Sequence, residues 1–494
     1  MRIGGFVVQP IIGMEIHVQL ATRTKMFCGC PLEFGAPPNS LTCPVCLGLP
    51  GALPVINAEA VDLAIRTGIA LNGKISSTTR WDRKSYYYPD LPKNYQISQF
   101  DHPICYGGFF EVPCEGRILK VRIRRAHLEE DAGKNAHDFE GCTGVDLNRA
   151  GTPLLEIVTE PDLESAEQAR EFAVQLHRLV RYLGVSNADM QKGQMRFEPN
   201  INLLLMREGE SWRTPIVEVK NLNSFRSLYG AVNYEIHRQV EAFAQDGLTA
   251  QVGNKSNRGW DDGREVTVAQ REKEEAHDYR YFPDPDLPAV RPDPARVAWL
   301  REHTPELPAP RTERFISEYK LPEKDAPALV DHHDSADLLD HAAEAGGDKV
   351  ILGKHFLSFW SKLANERGCE IAQLGVTAAS LAELANLVRD SVVNATAAAQ
   401  IAGALADRPE IPPATLAREL GLVQSNDRGE IEGWVATALA ENDKAVRDAR
   451  DNPKKRGAAR GFLTGQVMKI SGGKADPKVV GELIDELLAN DEPP

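Results

Sequence analysis

The sequence predicts an α+β chain: a large first domain built on an antiparallel sheet, then an all-helical domain and a small helical tail. Three observations carry this. Short alternating segments broken by Gly, Pro and Asn fill the chain from Met1 to about Asp293, prolines crowd between Pro283 and Pro310, and the remainder is Ala- and Leu-rich with helix-capping patterns. A chain of 494 residues exceeds one core, because domains run to about 100–200 residues. The expected domains are 1–293, 294–406 and 407–494.

The first informative segment is Ile12 to Leu20, where Glu15 and His17 leave one face of a strand while Met14, Ile16 and Val18 leave the other. Such a pair is either a solvated strand face or the lining of a cavity. Next come Cys28, Cys30, Cys43 and Cys46, a Cys-x-Cys and a Cys-x-x-Cys pair separated by a Gly- and Pro-containing loop. Four thiolates on two tight turns fit one tetrahedral structural zinc; the alternative is a loop of reduced, metal-free cysteines. Trp81 to Asp90 then joins Arg83 and Lys84 to Tyr86, Tyr87 and Tyr88. That composition suits phosphate donors beside stacking surfaces, and equally an aromatic core.

Lys120 to His127 reads as a strand, with Val121 and Ile123 pointing one way and Arg122 and Arg124 the other. It delivers His127 and then the acidic group Glu129, Glu130 and Asp131. Acids collected in one place need a cation, and magnesium suits hard carboxylates. A helix follows, with Ser165 and Gln168 as a capping box, Phe172, Leu176, Leu179, Val180 and Leu183 as its apolar stripe, and Gly184 closing it. Arg196 with Glu198, and Glu218 with Lys220, again set charges at strand spacing, either in a nucleotide–metal pocket or as surface ion pairs.

Beyond the prolines, Ser380 and Glu383 form a second capping box ahead of Leu384, Leu387 and Val388. Pro409, Pro412 and Pro413 mark another break. The tail ends in a helix with Asp476 as N-cap, Pro477 at its first position, and Val479, Val480, Leu483, Ile484, Leu487 and Leu488 on one face.

Bulk properties exclude several classes. With 42% apolar and 26% charged residues the chain is neither collagen-like nor wholly disordered. A net charge of -14 argues against non-specific coating of nucleic acid. A local basic run at Lys454, Lys455, Arg456 and Arg460, followed by Lys469, Lys474 and Lys478, is either a solvated face or a grip for phosphate. No apolar run approaches the roughly 20 residues of a membrane span, and eight cysteines are too few for a disulfide scaffold, so a cytoplasmic protein is expected. The chain has no Walker-type loop, no Gly-x-Ser-x-Gly elbow and no Gly-Ser amidase stretch, so it is not expected to release ammonia by itself.

Met14 to Leu20, Lys25 to Cys28, Cys43 to Gly51, Tyr88 to Gln99, His127 to Lys134, Lys220 to Phe225, Asp278 to Pro283 and Gly465 to Lys469 occur in an order that resembles the B subunit of the aspartyl/glutamyl-tRNA amidotransferase. The resemblance covers nearly the whole chain. It implies a cradle distantly similar to glutamine synthetase, with helical and tail domains that grip tRNA. It also implies ATP- and magnesium-dependent amidation of misacylated tRNA, in a heterotrimer whose glutaminase (amidase) component supplies ammonia and whose third component is small. Glu15, His17, Glu129, Glu130 and Glu218 are then expected around magnesium, and Lys84, Tyr86, Arg196 and Lys220 near the nucleotide or the acyl end. Glu15, His17, Glu129, Lys84 and Arg196 are the expected catalytic set. Some family members bind zinc at the four cysteine positions. The family usually shows Arg-Cys-Asp-Ala-Asn where this chain has Arg196-Phe197-Glu198-Pro199-Asn200, so Glu198 is counted with the magnesium ligands on a reach one methylene longer. No large insertion precedes Arg311, which separates the chain from the archaeal paralogue.

Overall fold

The computed structural model describes residues 1–139, 141–251, 254–270, 279–425, 427–451 and 455–489. Asp278 of the Asp278–Pro283 motif and Lys454 of the basic run lie outside the described residues. The chain divides into two compact units, Met1–Ala309 and Pro310–Pro494.

The first unit is organised by a 15-stranded sheet. The strands that matter for function are β1 (Phe6–Gln19), β2 (Asp82–Ser85), β3 (Tyr95–Ser98), β4 (Arg117–Glu130), β5 (Pro153–Thr159), β6 (Met195–Arg207), β7 (Val217–Lys220) and β8 (Ser256–Asp261). They lie in the order β8-β7-β6-β1-β5-β4-β3-β2. The expectation of an antiparallel sheet needs one amendment: β7 and β8 run parallel. A parallel neighbour requires a long crossover, and the helix Phe225–Asp246 between them supplies it.

Alternation is the reason β1 and β4 sit where they do. In β1, Val8, Ile12, Met14, Ile16 and Val18 are buried in a core shared with the helices Ala58–Ala70, Ala166–Tyr182 and Phe225–Asp246. In β4, Val121 and Ile123 enter the same core, while Arg122 and Arg124 point outward and pair with Asp162 and Glu160 at 2.6 and 2.9 Å. The helix Ala166–Tyr182 starts at Ser165, whose hydroxyl accepts from the Gln168 N–H at 3.1 Å. The Gln168 side chain returns to the Glu164 N–H at 2.9 Å, one residue earlier than a capping box requires.

The boundary between units falls after Ala309 and not at Asp293, because the helix Pro294–Glu302 stays with the first core. Its Leu300 is buried there, and its Arg296 bonds Asp62 at 2.6 Å.

The second unit is helical. The capping box expected at Ser380 is displaced: the helix Ala378–Arg389 starts at Thr377, whose hydroxyl accepts from the Ser380 N–H at 3.2 Å. Glu383 instead accepts the Ala414 N–H at 3.1 Å. Thr377-Ala-Ala-Ser380 places a capping oxygen one turn ahead of Ser380, and the earlier cap wins because Ala378 and Ala379 extend a helix readily. In the tail, Asp476 caps Pro477–Ala489 through the Lys478 N–H at 2.7 Å. Val480, Leu483 and Ile484 close a separate small core with Ile431, Val435, Leu463 and Val467. Among the described residues no helix is long and apolar enough to cross a membrane.

The cap placement is open to direct test. Thr377→Ala should lower the urea stability of the second unit by about 1 kcal/mol, and Ser380→Ala by distinctly less. The reverse order would return the cap to Ser380.

Candidate active site

Cross-strand register assembles the site. His17 on β1 lies opposite Glu156 on β5 and Arg196 on β6, and Glu156 in turn lies opposite His127 on β4. Four strands therefore present His127, Glu156, His17 and Arg196 as one row. In the adjacent row Glu15 faces Glu198, and beyond them Asn200 faces Glu218. A one-residue slip of β1 would send its two polar side chains into the core, so burial of Met14, Ile16 and Val18 holds this register.

His17, Glu156 and Arg196 of this row line a cavity of about 770 Å³ together with Glu15, Lys84, Tyr86, Glu129, Glu198 and Lys220, while His127 is buried. His17 Nε2 stands 3.4 Å from Glu156 and 3.7 Å from Glu129, and His17 Nδ1 stands 3.9 Å from Glu198. His127 Nε2 is 3.6 Å from Glu156. Two groups have donor atoms within 4.8 Å of one another: His17, Glu129 and Glu156, and Glu15, Glu198 and Glu218. The second group already holds ammonium charge. Lys220 bridges Glu198 and Glu218 at 2.8 and 3.0 Å, and Lys255 reaches Glu218 at 3.1 Å.

Crowded acids and histidines shift one another. Burial disfavours a charged His17, but Glu156, Glu198 and Glu129 outweigh it and lift its pKa to about 9. Burial and the neighbouring Glu156 push Glu129 up to about 7. Burial takes His127 down to about 4. Glu156, flanked by both histidines and near Lys84, is held well below the usual carboxylate range despite its burial. Asp131 resists its burial in the same way: Arg196 and Arg149 hold it at about 2. Lys84 is kept charged against burial by the surrounding acids, and burial raises the Tyr86 hydroxyl.

Of the residues expected here, Glu15, His17, Glu129, Lys84, Tyr86, Arg196, Glu198 and Lys220 line the cavity, and Glu218 adjoins it through Glu15 and Glu198. Glu130 does not. Alternation turns it to the opposite face of β4, where it is held by Lys93 and accepts the Ile97 N–H at 2.9 Å. Asp131 holds Arg196 at 3.1 and 3.3 Å. Sequence reasoning misses Glu156, although a lone acid in Leu154-Leu155-Glu156-Ile157-Val158 is a signal that an apolar strand interrupts itself for a purpose. Tyr279 and Arg280 also line the cavity, and the Tyr279 ring sits 4.9 Å from Lys84 Nζ. In the Trp81–Asp90 segment Trp81 is core, packed on Phe27, whereas Tyr87 is exposed at the cavity edge.

Cys28, Cys30, Cys43 and Cys46 bring their sulfurs within 4.8 Å of one another, and Cys43 and Cys46 stand 3.9 Å apart. Zinc–sulfur bonds of about 2.3 Å in a tetrahedron space sulfurs by about 3.8 Å, so the donor set fits zinc. The Cys28 thiol, the Cys43 N–H and Lys25 together bring Cys46 down to about 4. In the tail, Arg460 of the basic run is tied to Asp485 at 2.8 Å and Lys455 to Asp448 at 3.5 Å.

Comparison with known proteins gives the family. Residues 10–298 match the family model described as the GatB/GatE catalytic domain, and residues 337–488 match the GatB domain. The chain is 42% identical over 484 residues to the aspartyl/glutamyl-tRNA(Asn/Gln) amidotransferase B subunit of Caldicellulosiruptor saccharolyticus, covering 97% of this chain and 99% of that one. The proteins of the same name from Thermotoga maritima and Thermomicrobium roseum are 42% and 43% identical, again over 97% of this chain and over 99% and 98% of theirs.

A divalent cation at His17, Glu129 and Glu156 must displace the protons that Glu129 and His17 carry. Affinity should therefore rise as pH climbs through about 7 and on through about 9, and fall below that window. Calorimetry in buffers of different ionisation enthalpy measures both the affinity and the protons released. A pH-independent affinity with no proton release would remove these residues as ligands.

Proposed function

This chain belongs to the family of aspartyl/glutamyl-tRNA(Asn/Gln) amidotransferase B subunits, components of the enzymes that convert misacylated Glu- or Asp-tRNA into Gln- or Asn-tRNA, and we propose that its cavity activates the side-chain carboxylate for that exchange. One observation carries the reading: carboxylates, His17 and the cations Lys84, Arg196 and Lys220 converge on a single cavity. A pure RNA grip has no use for acids facing phosphate.

A carboxylate is a poor electrophile. In the proposed first step its oxygen bonds to the terminal phosphorus of ATP as the bond to ADP breaks. In the second, ammonia bonds to the acyl carbon and inorganic phosphate leaves. Lys84 and Arg196 meet the phosphoryl charge, prepositioned by the acids around them, so little reorganisation accompanies transfer. Tyr86 and Tyr279 offer surfaces for the adenine. His17, Glu129 and Glu156 are the set we assign to magnesium, which when bound supplies Lewis-acid neutralisation of phosphate charge. Glu15 and Glu198 stand next to it. The lysines on Glu198 and Glu218 make that second group a weaker claimant for a metal. Cys28, Cys30, Cys43 and Cys46 would hold a structural zinc.

Ammonia is proposed to come from a partner glutaminase (amidase), with a third, small polypeptide completing a heterotrimer in the cytoplasm. The sheet unit, with acids collected on one face, suits a glutamine synthetase-like cradle over the first unit, Met1–Ala309. The helices from Pro310 to about residue 406 and the tail from residue 407 are proposed as the tRNA-holding helical and tail domains, the latter on the strength of its separate core.

In the assembled enzyme, Glu15→Ala and Glu129→Gln should each reduce tRNA-dependent ATP hydrolysis about a hundredfold or more, with glutaminase still bound. Unchanged turnover in either would exclude that residue from the site, and hydrolysis independent of misacylated tRNA would point to a small-molecule ligase.

A further inference from the structure

The Lys25-Met26-Phe27-Cys28 motif contains a lysine that the reaction above does not use. Lys25 is 1% exposed, and its ammonium donates to Cys46 Sγ at 3.6 Å and to the Leu147 carbonyl at 3.2 Å. Its backbone N–H donates to the Cys30 carbonyl at 3.0 Å, so the residue grips both cysteine pairs. A lysine taken out of water needs an anion, and four thiolates around zinc carry excess negative charge that needs a cation. Each answers the other.

The Leu147 contact leads onward to the cavity. Two residues later Arg149 donates to the Ala132 and Gly133 carbonyls at 2.9 and 2.6 Å and lies 3.7 Å from Asp131. Asp131 is the carboxylate that holds Arg196. The cysteine loop is stitched to this same turn, with the Leu41 N–H on Asn148 Oδ1 at 2.8 Å and Asn148 Nδ2 on the Pro37 carbonyl at 2.8 Å. The Met26 N–H donates to the Gly151 carbonyl at 2.7 Å, fixing the far end of the turn.

We infer that Lys25 is a positioning residue that neutralises the tetracysteine centre and, through the turn at Leu147 to Arg149, sets the placement of the Asp131–Arg196 pair. Zinc loading and cavity geometry are thereby linked. The kinetic part of this inference rests on the proposed amidation; the zinc part does not.

The test uses the full chain purified with its partner polypeptides. Lys25→Met, close in length but uncharged, should weaken zinc about 10–100-fold in competition with a chromophoric chelator, as loss of an outer contact to a metal ligand does. In zinc-saturated buffer it should raise the KM for ATP more than it lowers kcat, and Lys25→Arg should recover most of the zinc affinity. A folded Lys25→Met protein with wild-type zinc affinity overturns the inference. Weakened zinc with an unchanged KM overturns the link to Arg196. Should Lys25→Met not fold, Lys25→Gln keeps a donor for the Leu147 carbonyl without the charge; unchanged zinc affinity there is equally fatal. If the wild-type complex hydrolyses no ATP with any misacylated tRNA, the functional reading fails, while the chelator assay still decides the role of Lys25.

Discussion

The contact between His17 and Glu156 across the paired strands β1 and β5 is the constraint on which the rest of the first unit depends. It sits in a row that runs through four strands, and it exists only in the register that buries Met14, Ile16 and Val18 on the other face. Hydrophobic burial thus sets the register, and the register sets the electrostatics. Acids brought this close could not all remain charged alone; interleaved His17, Lys84, Arg196 and Lys220 make the cluster tolerable. The opposed shifts of Glu129 and Glu156 are the remaining expression of that crowding.

The strand β4 divides two tasks between its faces. Glu129 turns toward the cavity and Glu130, its neighbour, toward the cysteine loop, where Lys93 holds it. Period-two geometry makes this division unavoidable. It also means that the packing behind β4 and the chemistry proposed in front of it are separated by the thickness of one strand, so a disturbance behind is felt in front.

The parallel pairing of β7 with β8 has a related consequence. Antiparallel pairing with β6 sets Glu218 next to Asn200, and the return of the chain through the helix Phe225–Asp246 to β8 brings up Lys255, which with Lys220 flanks the buried Glu218 carboxylate. A simple antiparallel hairpin would have joined β7 to a neighbour through a short turn, without the helix that covers this part of the core. The second unit is separately stabilised at its tail, which closes a core of its own around Leu463 and Ile484.

Much of this was legible in the chain itself. Alternation in β1 and β4, the stripe on Ala166–Tyr182, the Asp476-Pro477 cap and the cysteine spacing are local patterns, and local patterns follow from backbone geometry that each segment carries with it. The motifs also identified the family. What they left undecided was which residues meet. Glu130 looked equivalent to Glu129 until the pleat assigned their faces, Glu156 acquired meaning only when two histidines from other strands flanked it, and the cap moved from Ser380 to Thr377 because one more turn of helix found an earlier acceptor. The sequence by itself determined the elements and the kind of chemistry. Tertiary structure alone decided the partners, since pairing register and burial are properties of strands brought together and not of any one strand.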